Sequence, residues 1–231
     1  MFFDRRRLKK QARVIFVILI IVLSAGLIMS SMQWANAPTQ TAGKQQQSMT
    51  QEELEKYFQE KIDELENNLK DNPEDTKTLS ELASLYMISG KGDKAVTTYK
   101  KLIELQPDNV EVKLNLASLY FNQQQYDKAK DQINQALQIQ PDNLNARMNL
   151  ATIYFYDNKF EEAEKEVKKV LEASEDNAGA HQLYAYIMAN GKEDYKSAVE
   201  EIDKFIELEK EGPAVEQAKE IKKDWQEKIK E

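Results

Sequence analysis

The chain has 231 residues, a net charge of −8, 31% charged residues, no cysteine and a single histidine. Without cysteine there is no disulfide bond, thiolate metal site or thiol nucleophile, and one histidine excludes a multi-histidine metal site within one chain. We therefore expect no metal and no cofactor. Seven glycines and five prolines are few, which is typical of a helix-rich protein.

The charge is unevenly distributed along the chain. Residues 1–48 carry seven basic side chains and one acidic side chain, so residues 49–231 carry 25 basic and 39 acidic side chains, a net charge of −14. A region this acidic repels a polyphosphate, and we therefore expect no nucleic-acid partner.

An uncharged apolar run, VIFVILIIVLSAGLIM, occupies residues 14–29 and continues without charge to Met32. At about 1.5 Å per helical residue this run spans roughly 28 Å, close to the thickness of a hydrocarbon core. The basic sequence RRRLKKQAR precedes it. Because positive flanks stay in the cytoplasm, the pattern predicts a cytoplasmic tail over residues 1–13 and a transmembrane signal-anchor over residues 14–34. The chain is then a single-pass cell-membrane protein whose following residues are extracytoplasmic.

A cleaved signal peptide is the alternative, since the small residues ANA at 35–37 resemble a cleavage site. The length of the apolar run and the proline at position 38 favour the uncleaved anchor. Residues 35–49 lack apolar periodicity and are predicted to be a flexible linker.

A capping helix is predicted over residues 50–72. Thr50 followed by Glu53 has the spacing of a capping box, which begins a helix. An apolar stripe at helical spacing follows, made of Leu54, Phe58, Ile62, Leu65 and Leu69.

A sequence repeat dominates the rest of the chain. Residues 106–120 read QPDNVEVKLNLASLY, and residues 140–154 read QPDNLNARMNLATIY. Leu and Ala followed by Tyr form the packing face of a first helix, and an Ala followed four residues later by a large apolar residue forms that of a second helix. Proline ends the second helix, and the Asp or Asn after it can cap the next one. The repeating positions are Pro73, Pro107 and Pro141; Leu82, Leu116 and Leu150; Ala83, Ala117 and Ala151; Tyr86, Tyr120 and Tyr154; and Ala95, Ala129 and Ala163.

This pattern resembles the tetratricopeptide repeat (TPR) family, whose motif W-x2-L-G-x2-Y…A-x3-F…P has a period of about 34 residues. The resemblance covers residues 73–211, as units 76–109, 110–143 and 144–177 and a degenerate unit 178–211. It implies an all-α fold: a short right-handed α-solenoid of TPR helix pairs with capping helices, preceded by one transmembrane helix. One extra residue in the fourth unit predicts looser packing there.

The family's Trp position and the chain's last helix depart from the plain pattern. The Trp position holds Leu79, Lys113, Arg147 and His181, so the Trp contact is missing, and His181 is expected to be a packing residue. Residues 212–231 are predicted to form a C-terminal capping helix with Trp225 on its apolar face. A docking surface around Trp225 is the alternative.

By resemblance to the family, the first helices line a concave groove that holds a protein or peptide partner. The groove residues are Lys77, Ser84, Asn115, Ser118, Phe121, Asn122, Asn149, Thr152, Phe155, Tyr156 and Tyr186. Asn115 and Asn149 can bind a peptide backbone, and Phe121 and Phe155 can supply apolar contact area. Packing between neighbouring first helices is an equally open role for the two phenylalanines.

No catalytic constellation stands out in the sequence, so we expect a protein that is not an enzyme. The predicted function is that of a membrane-anchored scaffold or assembly factor that holds a partner at the extracytoplasmic membrane face. The alternative is a structural homo-oligomer that assembles with itself and has no foreign partner. By resemblance to the family, a groove that clamps a C-terminal carboxylate needs basic residues at the second, fifth and sixth positions of a unit. Only Lys77 is basic at the second position, and the fifth positions hold Ser80, Leu114 and Met148, so no such clamp is expected.

Overall fold

The computed structural model describes residues 50–230, which form ten α-helices and no strand. This confirms the predicted all-α repeat fold. The predicted tail, anchor and linker, residues 1–49, lie outside the described residues, and so does residue 231. No helix within 50–230 combines the length and apolarity needed to cross a membrane. The helices are α1 (Gln51–Asp71), α2 (Thr76–Ile88), α3 (Gly92–Leu105), α4 (Val110–Asn122), α5 (Tyr126–Ile139), α6 (Leu144–Tyr156), α7 (Phe160–Ala173), α8 (Ala178–Gly191), α9 (Tyr195–Glu209) and α10 (Pro213–Lys228).

Each helix packs on its neighbours in the chain, in the pairs α2–α3, α4–α5, α6–α7 and α8–α9. The first helices of successive pairs also contact one another, α4 with α6 and α6 with α8. Helix α1 packs on α2, and α10 packs on α9. This is a TPR-like solenoid arrangement, in which the first helices stand side by side.

Each first helix begins at a capping side chain that recurs once in every repeat unit. Asp75 accepts hydrogen bonds from the backbone N–H groups of Lys77 and Thr78. Asn109, Asn143 and Asn177 cap α4, α6 and α8 in the same way. These side chains satisfy backbone donors that have no partner inside the helix. The capping box at the start of α1 is confirmed, because Thr50 and Glu53 bond to each other's backbone N–H.

Small residues allow the two helices of a pair to approach closely. Ala83, Ala117, Ala151 and Ala185 on the first helices are at most 1% exposed. Ala95, Ala129, Ala163 and Ala198 on the second helices are completely buried. The interiors of the helix pairs are therefore built around alanine, as the repeat pattern predicts.

At the position of the family's Trp, three units connect their two helices through polar groups. Lys113 donates to Gln135 at 3.1 Å, Arg147 donates to Glu166 at 3.1 Å, and His181 lies 2.6 Å from Glu201. In the first unit the equivalent residue, Leu79, is buried and apolar. The missing Trp contact is thus replaced by a hydrogen bond or ion pair between the helices.

The turn inside each helix pair requires one residue with left-handed backbone. Gly90, Gln124 and Asn158 occupy it, with φ of 75°, 59° and 59°, at equivalent positions of the first three units. In the fourth unit α8 contains 14 residues, and the left-handed residue is Glu193, one position later than the period predicts. The extra residue is absorbed in this turn.

The fourth unit does not pack more loosely than the others, contrary to the expectation from its sequence. Ala185 and Ile187 on α8, and Ala198 and Ile202 on α9, are completely buried. The additional residue changes the turn and leaves the apolar contacts between the two helices intact.

Candidate partner-binding groove

Ring contacts bring four of the eleven predicted groove residues together. Phe121 lies 5.2 Å from Tyr156, Tyr156 lies 5.5 Å from Phe155, and Phe155 lies 6.5 Å from Tyr186, between ring centroids. The four residues belong to α4, α6 and α8, so the contacts run across three successive first helices. All four rings are half-buried. They therefore pack between first helices, as the packing alternative predicts for the phenylalanines, and they also keep part of each ring accessible.

The line of rings ends at Trp225 of α10, whose centroid lies 5.8 Å from that of Tyr186 with the ring planes 82° apart. We call Phe121, Tyr156, Phe155, Tyr186 and Trp225 the aromatic ladder. Trp225 is 7% exposed and also packs in the core with Val215 and Ala218. It thus combines the predicted capping role with a place at the end of the ladder.

Two rings from second helices flank the ladder, and the sequence interpretation omitted both. Tyr126 lies 5.8 Å from Phe121, and Phe160 lies 5.7 Å from Phe155. A Cβ atom at Gly191 would lie 2.6 Å from Cβ of Phe160, so the glycine makes room for this ring. Tyr126 and Phe160 begin their helices one repeat period apart, and that spacing is the signal that would have identified them.

The two tyrosines of the ladder are desolvated. Burial raises the pKa of Tyr156 to about 12, with a further contribution from the nearby phenols of Tyr186 and Tyr126. Burial raises the pKa of Tyr186 to about 12 as well. Both hydroxyls are therefore protonated at neutral pH and can donate a hydrogen bond.

Polar groups lie on the same helix faces as the rings. Asn149, Thr152 and Tyr156 follow one another at i, i+3 and i+7 along α6. The amides of Asn115 and Asn149 make no hydrogen bond within residues 50–230 and are half-buried. They can therefore bind the backbone of a partner without first giving up an internal bond.

The hydroxyls of Ser118 and Thr152 are engaged within their own helices. Ser118 donates to the Leu114 carbonyl at 3.0 Å, and Thr152 donates to the Met148 carbonyl at 2.8 Å. Their oxygens can still accept a hydrogen bond from a partner.

The remaining predicted groove residues are not joined to the ladder by any ring contact. Lys77 is exposed on α2, and Asn122 is exposed at the end of α4. Ser84 lies 3.4 Å from the Tyr99 hydroxyl and so faces the second helix of its own unit. The first unit holds Met87 at the position of Phe121 and Phe155, so the ladder begins in the second unit.

Charged groups near the groove are held by partners in the second helices or the turns. Arg147 pairs with Glu166, and the ring nitrogens of His181 lie 2.6 Å from Glu201 Oε2 and 2.8 Å from the Glu175 carbonyl oxygen. In the part of the chain that the structure describes, no three His, Asp or Glu side chains form a group able to hold a metal ion. The predicted groove residues on α4, α6 and α8 are all uncharged.

Comparison with known families identifies repeats in the middle of the chain. A tetratricopeptide repeat model matches residues 108–176, and a TPR repeat model matches residues 83–124. The helices α8, α9 and α10 lie beyond the matched residues. No curated protein matches the chain.

Solved structures share the fold. MamA from Desulfovibrio magneticus RS-1 matches with a TM-score of 0.61 and 21% identity, over 66% of this chain and 86% of that one. YrrB, described as a TPR protein with an unusual peptide-binding site, matches with a TM-score of 0.58 and 16% identity, over 71% and 84%. A tetratricopeptide repeat protein from Parabacteroides merdae matches with a TM-score of 0.63 and 19% identity, over 75% and 71%. At these identities the likeness concerns the fold.

Proposed function

We propose, from the premise that this chain is a tetratricopeptide repeat protein, that it is a non-catalytic scaffold or assembly factor. Its groove holds a protein or peptide partner at the extracytoplasmic face of the cell membrane, to which residues 14–34 anchor it. The observation that carries this proposal is the aromatic ladder, together with the amides of Asn115 and Asn149, which make no hydrogen bond within residues 50–230.

Half-buried rings and unpaired amides suit partner binding for physical reasons. Aromatic side chains supply large contact areas and lose little conformational entropy when they bind, and amide groups both donate to and accept from a peptide backbone. The description of YrrB as having a peptide-binding site agrees with such a role for the fold.

The membrane part of the proposal rests on the sequence. The apolar run of residues 14–32 follows a basic segment, and the linker of residues 35–49 would give the groove an rms reach of roughly 20 Å from the anchor.

A reporter enzyme fused after Glu231 tests this topology. We expect activity outside the cytoplasm; activity inside alone would reverse the proposed orientation.

Photo-crosslinking of the full chain in native membranes tests the groove. One sample carries the photoreactive residue at Phe155, and the control carries it at Lys165, an exposed residue on α7. We expect one partner protein to be captured from position 155 and not from position 165. Capture of a second copy of this chain from position 155 would favour the self-assembling alternative. Equal capture from both positions, or none, would remove the groove proposal.

A further inference from the structure

We infer that the aromatic ladder recognises an uncharged, proline-rich segment in the polyproline II conformation. This inference rests on the proposed function, because it specifies which kind of peptide the groove holds. Three properties of the ladder support it: the geometry of its rings, the surplus of hydrogen-bond donors along it, and its lack of charge.

Three of the four ring contacts along the ladder are made at steep angles, and the fourth, between Phe155 and Tyr186, is tilted at 46°. The planes of Phe121 and Tyr156 are 68° apart, those of Phe155 and Tyr156 are 86° apart, and those of Tyr186 and Trp225 are 82° apart. The four rings on the first helices are half-buried and so keep part of their surface accessible, and proline-rich segments dock in aromatic-lined grooves.

The spacing of the rings also suits polyproline II. The centroid-to-centroid steps along the ladder lie between 5.2 and 6.5 Å. A polyproline II chain advances about 3.1 Å per residue, so each step corresponds to about two residues of the partner. Because polyproline II has three residues per turn, a proline at every third residue recurs on one face after about 9 Å and would meet alternate rings of the ladder.

Four hydrogen-bond donor groups on or beside the ladder have no acceptor in the part of the chain that the structure describes. The hydroxyl of Tyr156, the indole N–H of Trp225 and the amides of Asn115 and Asn149 donate to nothing within residues 50–230.

These donors discriminate between partner conformations. A polyproline II segment has no internal hydrogen bonds, so all of its carbonyl groups can accept. An α-helical partner uses most of its carbonyls internally and would leave the donors of the groove unpaired. A partner rich in proline also brings few N–H groups that would need acceptors from the groove.

The third property is that the ladder carries no charged side chain. In a chain with 31% charged residues, the ladder and the amides beside it carry no charge, and the neighbouring Arg147 and His181 are paired with Glu166 and Glu201. A charged peptide would lose its hydration in such a groove without gaining a counter-ion. An uncharged, proline-rich peptide has no such loss.

Fluorescence anisotropy with three labelled peptides tests the inference on the full chain in detergent micelles. The first is a blocked peptide of about ten prolines, which adopts polyproline II. The second is an uncharged Ala, Leu and Gln peptide that forms a helix, and the third is a Gly-Ser peptide of the same length as the first. We expect binding of the proline peptide and neither of the others.

Two substitutions each remove one ring of the ladder and replace it with the residue found at the equivalent position of the first unit. Phe121→Met and Phe155→Met each introduce the residue that the first unit has at this position, Met87. We expect each to weaken binding of the proline peptide about tenfold, the loss of one aromatic contact, and to lower the melting temperature by no more than about 4 °C, as for a swap between apolar residues of similar size. Met87→Leu is the matched control and should leave the affinity unchanged.

The outcomes separate this inference from the proposed function. Binding of the helical peptide in place of the proline peptide, or proline binding that both Phe→Met variants leave unchanged, would overturn the inference. Failure of the proline peptide while crosslinking from position 155 still captures a partner would overturn the inference and leave the scaffold proposal standing. Failure of both experiments would overturn both.

Discussion

The two ends of the described helices close the array differently. At the N-terminal end α1 contributes Ile62 to the core and leaves Leu54 and Tyr57 41% and 46% exposed. At the C-terminal end α10 buries Val215, Ala218 and Trp225. The aromatic ladder runs to the C-terminal end and stops short of the N-terminal one.

This difference shows which positions of the repeat are constrained. Both end units cap their first helix with a side chain, Asp75 or Asn177, because the first N–H groups of a helix need acceptors. Both also keep buried alanines, because close helix packing needs small residues. The ring-bearing positions differ, because the backbone of the repeat does not require an aromatic residue there. We therefore expect stability to depend on both ends and partner binding on the C-terminal one.

Replacing the terminal aromatic residues should give the largest contrast between the ends. Trp225→Ala removes a buried indole and its contact with Tyr186, and we expect it to lower the free energy of unfolding by about 3–5 kcal/mol. Tyr57→Ala at the other end should change it by no more than about 0.5 kcal/mol. Urea unfolding followed by circular dichroism measures both. Similar losses for the two variants would contradict the comparison.

Replacing an interior alanine should lower stability to a similar extent in the first and the third unit. Ala83→Leu in the first unit and Ala151→Leu in the third both force extra atoms between closely packed helices. We expect each to lower the free energy of unfolding by about 1–3 kcal/mol. Thermal melting measures the effect, and an unchanged melting temperature for either variant would mean that its helix pair can separate without loss.

High pH should destabilise the C-terminal end through Tyr186. Its pKa in the folded protein is about 12, above the ordinary value of 10.0. Its contribution to stability is therefore complete below pH 10 and is lost as the pH rises to 12, because the unfolded chain ionises first. With allowance for its partial exposure, we expect this loss to be about 1–2 kcal/mol.

The variant Tyr186→Phe isolates that effect. The variant lacks the hydroxyl and should not show this loss of stability at high pH. The difference in unfolding free energy, wild type minus variant, should therefore decrease above pH 10. Urea titrations from neutral pH to about pH 12 measure it. A difference that stays constant with pH would mean that the hydroxyl remains in water in the folded protein.

The second unit offers a stabilising change. Among the described residues Gln132 Oε1 is buried without a hydrogen-bond partner. Gln132 follows Lys113 at the same sequence separation at which Glu166 follows Arg147. We expect Gln132→Glu to pair with Lys113 and to raise the free energy of unfolding by about 1 kcal/mol.

Asn134→Asp is the control for that change, since it adds the same charge at a less buried position of α5. It should leave the melting temperature nearly unchanged. A lower melting temperature for Gln132→Glu than for the control would show that the new carboxylate is buried without a counter-ion.

The sequence predicted the parts of the molecule that local rules determine. The repeat period located the helix pairs, and Asn109 and Asn143 cap helices where the sequence QPDN predicts a cap. Trp225 was harder to place, because its contact with Tyr186 depends on how a whole helix from a later part of the chain packs against α8 and α9.

The groove was only partly predictable for the same reason. Phe121, Phe155, Tyr156 and Tyr186 were expected there by resemblance, and the structure joins them through their rings. Ser84 was expected to face a partner, but it lies beside Tyr99 of the second helix. A small hydroxyl fits either environment, and helical spacing alone does not distinguish them.

The left-handed turn has a consequence for how repeats are counted. Gly90, Gln124 and Asn158 adopt nearly the same backbone angle at the same place in three units, although they are three different residues. Because the backbone angle is retained while the residue type changes, sequence similarity between the units decreases more than structural similarity does. The family models accordingly match nothing beyond residue 176, whereas the backbone carries one more helix pair to Glu209. The left-handed angle at Glu193 thus marks the degenerate fourth unit, which the sequence also indicates and which the family models leave unmatched.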